Sequence, residues 1–353
     1  MKKKVKKILK IVLIVIAVIA ALLAAALIYL TVREYRPDDV ESVSPESGTE
    51  TLQPGEMVSV LTFNTGYAGL SRDEDFFMDG GSRVKPESRE LVEENLAGIS
   101  AVLLEQNADV YFLQEVDRDS ARTYYINEQE YYEQQLGLAG MFGCNFKCDF
   151  VPYPLPPIGK VDSGLVTFSN YQVMEASRLS LPESFSWPIK TCNLKRCMLE
   201  ARIPVEGTDK ELVLINFHLE AYDSGEGKEA QSKILAEKLK EEYDKGNYVI
   251  AGGDFNQTFE GIDRYPINNE ENWMPEILDL EDIPEGFSFA VADNAPTCRL
   301  LDGPYSGNYQ DSQVYVLDGF IVSDNLEVLQ VKTVDQDFRY SDHQPVYLET
   351  VLK

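Results

Sequence analysis

Histidine is almost missing from this 353-residue chain, which has two, and basic residues are heavily outnumbered, with 32 Lys and Arg against 59 Asp and Glu. Residues 1 to 33 hold seven Lys and Arg and no acid, so the remainder carries 25 basic and 59 acidic side chains, a net charge of −34 rather than the overall −27. Nucleic-acid binding draws most of its affinity from basic contacts to phosphates, so long duplex DNA is a poor first partner for such a surface. Acidity also keeps an exposed domain soluble, and a local basic pocket remains compatible with it. Cysteine is sparse too: Cys144, Cys148, Cys192, Cys197 and Cys298 form two close pairs and a single residue. The gaps of three and four residues lack a zinc-ribbon spacing. Two short-range disulfides, a four-thiolate site and buried free thiols all stay open. No internal repeat is visible, and one long apolar run stands alone.

That run is Ile11 to Leu30, 20 residues without a charge. As a helix it spans about 30 Å, the thickness of one bilayer core. Lys2, Lys3, Lys4, Lys6, Lys7 and Lys10 precede it, and the residues after it turn acidic by Asp38. The positive-inside rule then keeps residues 1–10 cytoplasmic, makes 11–31 a transmembrane helix and places the rest outside the cytoplasm. Ala24, Ala25 and Ala26 offer small residues for cleavage of a signal peptide, although apolar residues continue through Leu30.

Residues 32–56, with Pro37, Pro45 and Pro54 among Ser, Glu, Asp, Thr and Gly, read as an extended linker. A folded domain over 57–353 follows, about 300 residues, enough for one large core. Its first strand is expected over Val58–Phe63. A helix is expected over Pro86–Gln106, where Leu91, Asn95, Ile99, Val102 and Leu103 recur near 3.6-residue spacing. A strand over Asp109–Glu115, a second helix over Ser120–Leu136, and strands over Ser163–Phe168, Cys197–Ile203 and Glu211–Phe217 come next. Then come a helix over Lys228–Tyr243, a strand over Tyr248–Ala251 and late strands over Val314–Val322, Leu326–Val331 and Val346–Val351. Mixed strands and helices of this kind point to an α/β domain with helices covering its sheets.

Polar residues punctuate the ends of these strands. Asn64 closes one in "LTFNTG", Glu115 in "LQEV", His218 in "INFHLE", and Asp254 and Asn256 follow "AGG" in "AGGDFN". Asp318 lies in "VLDGFIVS", and Asp342 and His343 in "YSDHQP", so both histidines of the chain fall within these motifs. Strand ends are where a rigid sheet can hold loops around a pocket. A phosphoester resists attack because its oxygens repel nucleophiles, so its hydrolysis needs positive charge, an activated water and help for the leaving group. Glu115 offers a hard carboxylate to an ion such as Mg²⁺, with Asn64 beside it. Asp254 can orient or deprotonate water, Asn256 can donate to a phosphate oxygen, and the histidines can donate to developing charge. Singly each has a bland explanation: "GDFN" suits an Asx turn, and a lone histidine is more often structural.

As an ordered set, "TFN", "LQE", "NFHL", "GGDFN", "LDGFIVS" and "SDH" resemble the endonuclease/exonuclease/phosphatase superfamily over residues 58–353. That superfamily includes deoxyribonuclease-like nucleases, abasic-site endonucleases, neutral sphingomyelinases, inositol-polyphosphate phosphatases and deadenylases. The resemblance implies a four-layered α/β sandwich, two packed mixed β-sheets flanked by helices, and use of Mg²⁺, with Mn²⁺ as an alternative. It implies metal-site positions at Asn64, Glu115 and Asp342, a water-orienting and phosphate-contacting pair at Asp254 and Asn256, and a catalytic histidine at His343 supported by Asp318. His218, preceded by Asn216, resembles the histidine of the nuclease, sphingomyelinase and phosphatase branches. One departure is Val316, where many relatives carry Arg.

Three substrate classes fit: a phospholipid or phosphorylated head group, a nucleic acid or nucleotide, and a small phosphomonoester. The anchor and the acidic surface put a lipid-linked or small ester slightly ahead of DNA or RNA, and oligomeric state is open. A non-catalytic binding domain that kept the fold is the competing class, against which the complete carboxylate and histidine sets argue. The aromatic-rich segment Asn145–Lys160 reads either as a loop near the mouth, with Phe150, Tyr153 and Leu155 gripping an apolar group, or as a rigid connector.

Overall fold

Alternation of side chains along the strands sorts the chain into layers. In the computed structural model, which describes residues 2–45, 47–222, 225–262, 265–278 and 282–353, two mixed sheets carry the fold. One has six strands in the order β16 (Leu326–Thr333), β17 (Val346–Leu352), β2 (Met57–Asn64), β3 (Val110–Asp117), β5 (Gly159–Ser169) and β4 (Met141–Val151). The other has seven: β1 (Val40–Val43), β6 (Glu175–Ser180), β7 (Cys197–Pro204), β8 (Glu211–His218), β9 (Tyr248–Asp254), β15 (Asp318–Ser323) and β12 (Phe287–Ala290). Two short pairs complete the described strands, β10 (Gln257–Phe259) with β11 (Glu276–Leu278) and β13 (Cys298–Arg299) with β14 (Val314–Tyr315).

Even-numbered residues of the central strands face the space between the sheets. Val58, Val60, Val110 and Phe112 from one sheet meet Leu212, Leu214, Ile250, Phe320 and Val322 from the other in a single core. Odd-numbered neighbours face outward. Leu61, Phe63, Tyr111 and Leu113 are covered by α2 (Arg89–Gln106) and α3 (Glu128–Leu136), and Val213, Ile215, Phe217 and Val249 by α4 (Glu226–Asp244). Helix, sheet, sheet, helix is the four-layered sandwich expected from the sequence. The Ser88 side chain caps α2 by accepting from the Leu91 amide at 3.1 Å, which explains a start later than Pro86.

Before the domain, α1 (Lys2–Val32) is long and apolar enough to cross a membrane. The linker expected over 32–56 is not free of the domain. Val40–Val43 pairs with β6 as an edge strand, Glu50 and Leu52 bridge to Tyr171 and Val205, and Leu52 is fully buried. Of its few apolar side chains, too sparse to show a period, Val43 and Leu52 pack against the domain core. The helix expected over Ser120–Leu136 divides: a short turn, Ala121–Thr123, sets Arg122 on Asp117, Tyr124 and Tyr125 take left-handed backbone, and Asn127 caps α3. The strand expected over Val314–Val322 also breaks, because the Leu317 and Asp318 amides donate to the Thr297 hydroxyl. Within Asn145–Lys160, the ends belong to β4 and β5 and only 152–158 form a loop. All five cysteines are free thiols, four buried and Cys144 partly so.

One polar layer crosses the apolar core. Gln114 Nε2 donates to Asn216 Oδ1 at 2.8 Å, and Asn216 Nδ2 donates to the Leu113 and Val166 carbonyls at 3.2 and 3.0 Å, joining the two sheets beneath their polar ends. Both side chains are fully buried, so removing either leaves unpaired groups in the interior. Asn216→Val is expected to cost about 2–4 kcal/mol of stability, read as a lower urea midpoint of the full chain in detergent. An unchanged midpoint would show that the layer does not hold the sheets.

Candidate active site

The inward-facing rows turn from apolar to polar as they approach one end of the sandwich. Across β8, β9 and β15 the registered residues run Leu214–Ile250–Val322, then Asn216–Gly252–Phe320, then His218–Asp254–Asp318. In the facing sheet Val60 pairs with Val110, Thr62 with Phe112 and Asn64 with Gln114. The last polar row of one sheet touches that of the other, where Asn64 Nδ2 donates to Asp254 Oδ2 at 2.9 Å. Gly253 lets β9 lie beside β8 just before Asp254: its φ is +152°, and a Cβ there would lie 1.9 Å from the carbonyl oxygen of its register partner Phe217.

Glu115 reaches this cleft by a different device. Its odd number would send it toward the helices, but β3 shifts register against β5 between Leu113 and Val116, and Glu115 adopts φ +56°. The bulge swings its carboxylate to within 3.4 Å of Asn64 Nδ2. A left-handed glutamate is strained, by about 1 kcal/mol or more, and such strain collects at functional sites.

His343 enters from the loop before β17. Its Nδ1 is 2.8 Å from Asp318 Oδ2 and its Nε2 is 3.6 Å from Asp254 Oδ2. His218 Nε2 lies 3.4 Å from the same Asp254 oxygen, while its Nδ1 is buried without a partner. Asp342 is held by Ser341, whose hydroxyl donates to it at 3.3 Å and to the Asn64 carbonyl at 2.9 Å. Gly66, at φ +52°, clears its space, since a Cβ would stand 2.7 Å from Asp342 Oδ1. Asn256 gives one amide hydrogen to the Leu219 carbonyl at 2.8 Å and lines the cleft. The eight residues singled out from sequence thus come together at one end of the sandwich. Asn64 lies beside Glu115 as expected but presents its N–H, its Oδ1 accepting from the Gly66 amide at 3.0 Å.

Burial sets the charge states. It pushes the Glu115 and Asp254 carboxyls up and the Asp342 carboxyl up to about 7, with Glu115 adding to the effect on Asp342. His218 is driven well below the ordinary histidine range by burial, then by the Arg196 and His343 cations. Burial would also strip His343, but Asp318 and Asp254 reverse this and hold it well above that range. One ring is neutral and the other cationic, both against one carboxylate. A cationic His343 can donate a proton to a leaving oxygen, and Asp254 can take one from water. Among the described residues Asp254, Asp318 and His343 group their ligand-type atoms within 4.8 Å. A hard divalent ion prefers carboxylate oxygens, and Asp342 supplies a buried carboxylate and Glu115 a half-buried one whose ionisation it would favour.

Sequence reading missed several cleft residues. Arg122, bidentate to Asp117 at 2.9 Å, stacks 3.7 Å over Tyr67 and faces Glu115. Arg196 donates to the His218 carbonyl at 3.2 Å and lies 3.6 Å from Glu220. Tyr222 donates to Asp79 at 2.6 Å, and Trp273 donates to the Ala221 carbonyl at 2.9 Å. Arg122 lies five residues beyond the strand it supports and Trp273 in a loop, so no strand-end pattern marks them. Val316 is buried in the outer core beside α4.

The model for the Endonuclease/Exonuclease/phosphatase family matches residues 61–343. The chain belongs to that family, whose members are metal-dependent phosphoesterases and nucleases, and it is accordingly a phosphoester hydrolase. Similar folds include an endonuclease/exonuclease/phosphatase from Beutenbergia cavernae, at 20% identity and TM-score 0.57, covering 84% of this chain and 72% of that one. One from Bacteroides vulgatus is 16% identical with TM-score 0.54, covering 84% and 100%. The human Nocturnin catalytic domain, solved with a bound sulfate anion, is 17% identical with TM-score 0.50, covering 86% and 97%. No curated protein matches the sequence.

The two histidines make the charge assignment directly measurable. In the metal-free protein with histidine isotopically labelled, one ring resonance is expected to stay protonated as pH rises through 7. The other should remain neutral until well below pH 6.5. Asp318→Asn removes the main charge that raises His343, so the first resonance should titrate at lower pH. Two rings titrating together near 6.5 would contradict the geometry.

Proposed function

We propose that this chain is a membrane-tethered, extracytoplasmic phosphoesterase that works with a divalent ion, Mg²⁺ foremost, and prefers a lipid-linked or small phosphodiester. The observation that carries the reading is the contact of two sheets through Asn64 and Asp254, with Glu115, His218, Asp318 and His343 around it. Glu115 and Asp342 would hold the ion, which supplies positive charge to the phosphoryl oxygens when bound. Asp254, fixed by the Asn64 and Asn256 N–H groups, takes the proton of the attacking water. His343, oriented by Asp318, donates toward the leaving oxygen, and neutral His218 donates a hydrogen bond without adding charge. Asn256 faces the phosphate.

The six lysines before the apolar run of α1 favour a cytoplasmic N-terminus, which sends the domain to the other side. A net charge of −34 on residues 34–353 opposes long polyanions, and this is why a lipid or small ester stands ahead of DNA or RNA.

Full chain in detergent is expected to hydrolyse bis(p-nitrophenyl) phosphate in Mg²⁺ and to stop when the ion is chelated. His343→Ala and Glu115→Gln should each lower kcat by about 10²–10⁴-fold with unchanged circular dichroism. Wild-type rates in both variants would remove the assigned site, and much faster cleavage of DNA or RNA than of phospholipids or small esters would reverse the substrate preference.

A further inference from the structure

The apolar helix does not simply lead to the domain; its last turn is packed against it. Leu30 is buried with Phe146, Cys148, Val151, Val161 and Cys192. Tyr29 and Arg33 donate to Asp149 at 3.0 and 2.7 Å, and Trp187 Nε1 donates to Thr31 Oγ1 at 3.1 Å. The point where α1 would leave a bilayer is therefore fixed against two segments, the end of β4 with the loop after it, and residues 185–195.

Those segments leave large apolar side chains in the open. Phe150, Tyr153, Trp187 and Ile189 are 42–56% exposed, and Leu155 is 90% exposed between two prolines. The same segments wall the catalytic cleft, a space of about 1300 Å³ open to solvent, where Phe146, Val151, Tyr153, Ile158, Phe185 and Leu194 face the rim of the His218, Asp254 and His343 group. An apolar surface thus runs from the foot of the anchor into the active site. The basic side chains of this segment are engaged inside the protein, Lys190 and Lys195 with Glu34 and Glu183 and Arg196 with Glu220, so they brace the junction and the cleft wall and leave the exposed face apolar.

We infer that Phe150, Tyr153, Leu155, Trp187 and Ile189 form a collar that inserts into the leaflet from which α1 emerges. The cleft then opens onto that membrane and takes its phosphoester from a lipid of the same bilayer, the lipid's apolar portion lying along Phe146, Tyr153 and Leu194. Aromatic side chains favour the bilayer interface, and exposed apolar patches of this kind mark contact surfaces. The inference rests on the phosphoesterase reading and on the tether.

The test uses full chain in vesicles of phosphatidylcholine, phosphatidylglycerol and sphingomyelin. Trp187 and Trp273 are the chain's two tryptophans, so Trp187→Phe with Trp273→Phe and Leu155→Trp leaves a single probe on the collar. Brominated phosphatidylcholine is expected to quench it by about half or more; unquenched, water-like emission would show that the domain stands off the bilayer. In parallel, Phe150→Asp with Leu155→Asp and Ile189→Asp, none of which lines the cleft, should lower head-group release from the vesicles about tenfold or more. Hydrolysis of bis(p-nitrophenyl) phosphate should not change. Equal lipid hydrolysis in variant and wild type, or none in a wild type active on the soluble ester, overturns the collar alone. Loss of the soluble-ester activity in wild type overturns the phosphoesterase reading instead.

Discussion

Everything at the active site depends on two sheets being held at a fixed separation by buried polar contacts. Apolar packing alone tolerates sliding and small changes of spacing, because it has no direction. The Gln114–Asn216 hydrogen bond and the Asn64–Asp254 hydrogen bond have direction, and each joins one sheet to the other. They fix the register in which β2 and β3 face β8 and β9. Only in that register does the last inward row of one sheet, Asn64 and Gln114, oppose His218, Asp254 and Asp318 of the other.

The same convergence creates an electrostatic problem. Glu115, Asp254, Asp318 and Asp342 stand together in a strongly acidic domain, and burial disfavours the charged forms of Glu115, Asp254 and Asp342. Arg122 and a protonated His343 offset part of this for Glu115, but Asp254 acts in the opposite sense. A doubly charged ion on the carboxylate side and an anionic phosphate beside the His343 cation would relieve the remainder. The charge pattern therefore argues for the metal independently of any resemblance.

Position at strand ends made much of this legible from sequence, and the alternation seen in the structure gives the reason. Once Val58 and Val60 are read as inward, Thr62 and Asn64 follow, and the same counting sets Asn216, His218, Asp254 and Asp318 on inner faces. Glu115 has the wrong parity, and only the bulge with its left-handed backbone explains why it joins them; neither feature has a sequence signature when the residue is not Gly or Asn. Docking of residues 40–52 escaped notice because four residues of an edge strand show too little alternation to count. Arg122 and Arg196 escaped because their roles come from long-range contacts, with Asp117 and Tyr67 in one case and with His218 and Glu220 in the other.

Charge and tether act on substrate choice in different ways. A long polyanion meets the repulsion of the whole domain along its length, and salt screens that over about 8–10 Å. On the proposed arrangement, a phosphate in a leaflet beside α1 would meet chiefly the face nearest the anchor, where Phe150, Leu155, Trp187 and Ile189 stand exposed and the acids Glu34 and Glu183 are paired with Lys190 and Lys195. Lys195 is itself buried against Glu34 at 3.0 Å, so that pair stiffens the junction between anchor and domain. If α1 spans a bilayer, a rigid junction would leave the cleft little freedom to turn away from it, and the tether would keep lipid at a high effective concentration whatever its intrinsic affinity. Acidity on the remaining surface would then cost little in lipid encounter while it opposes long polyanions.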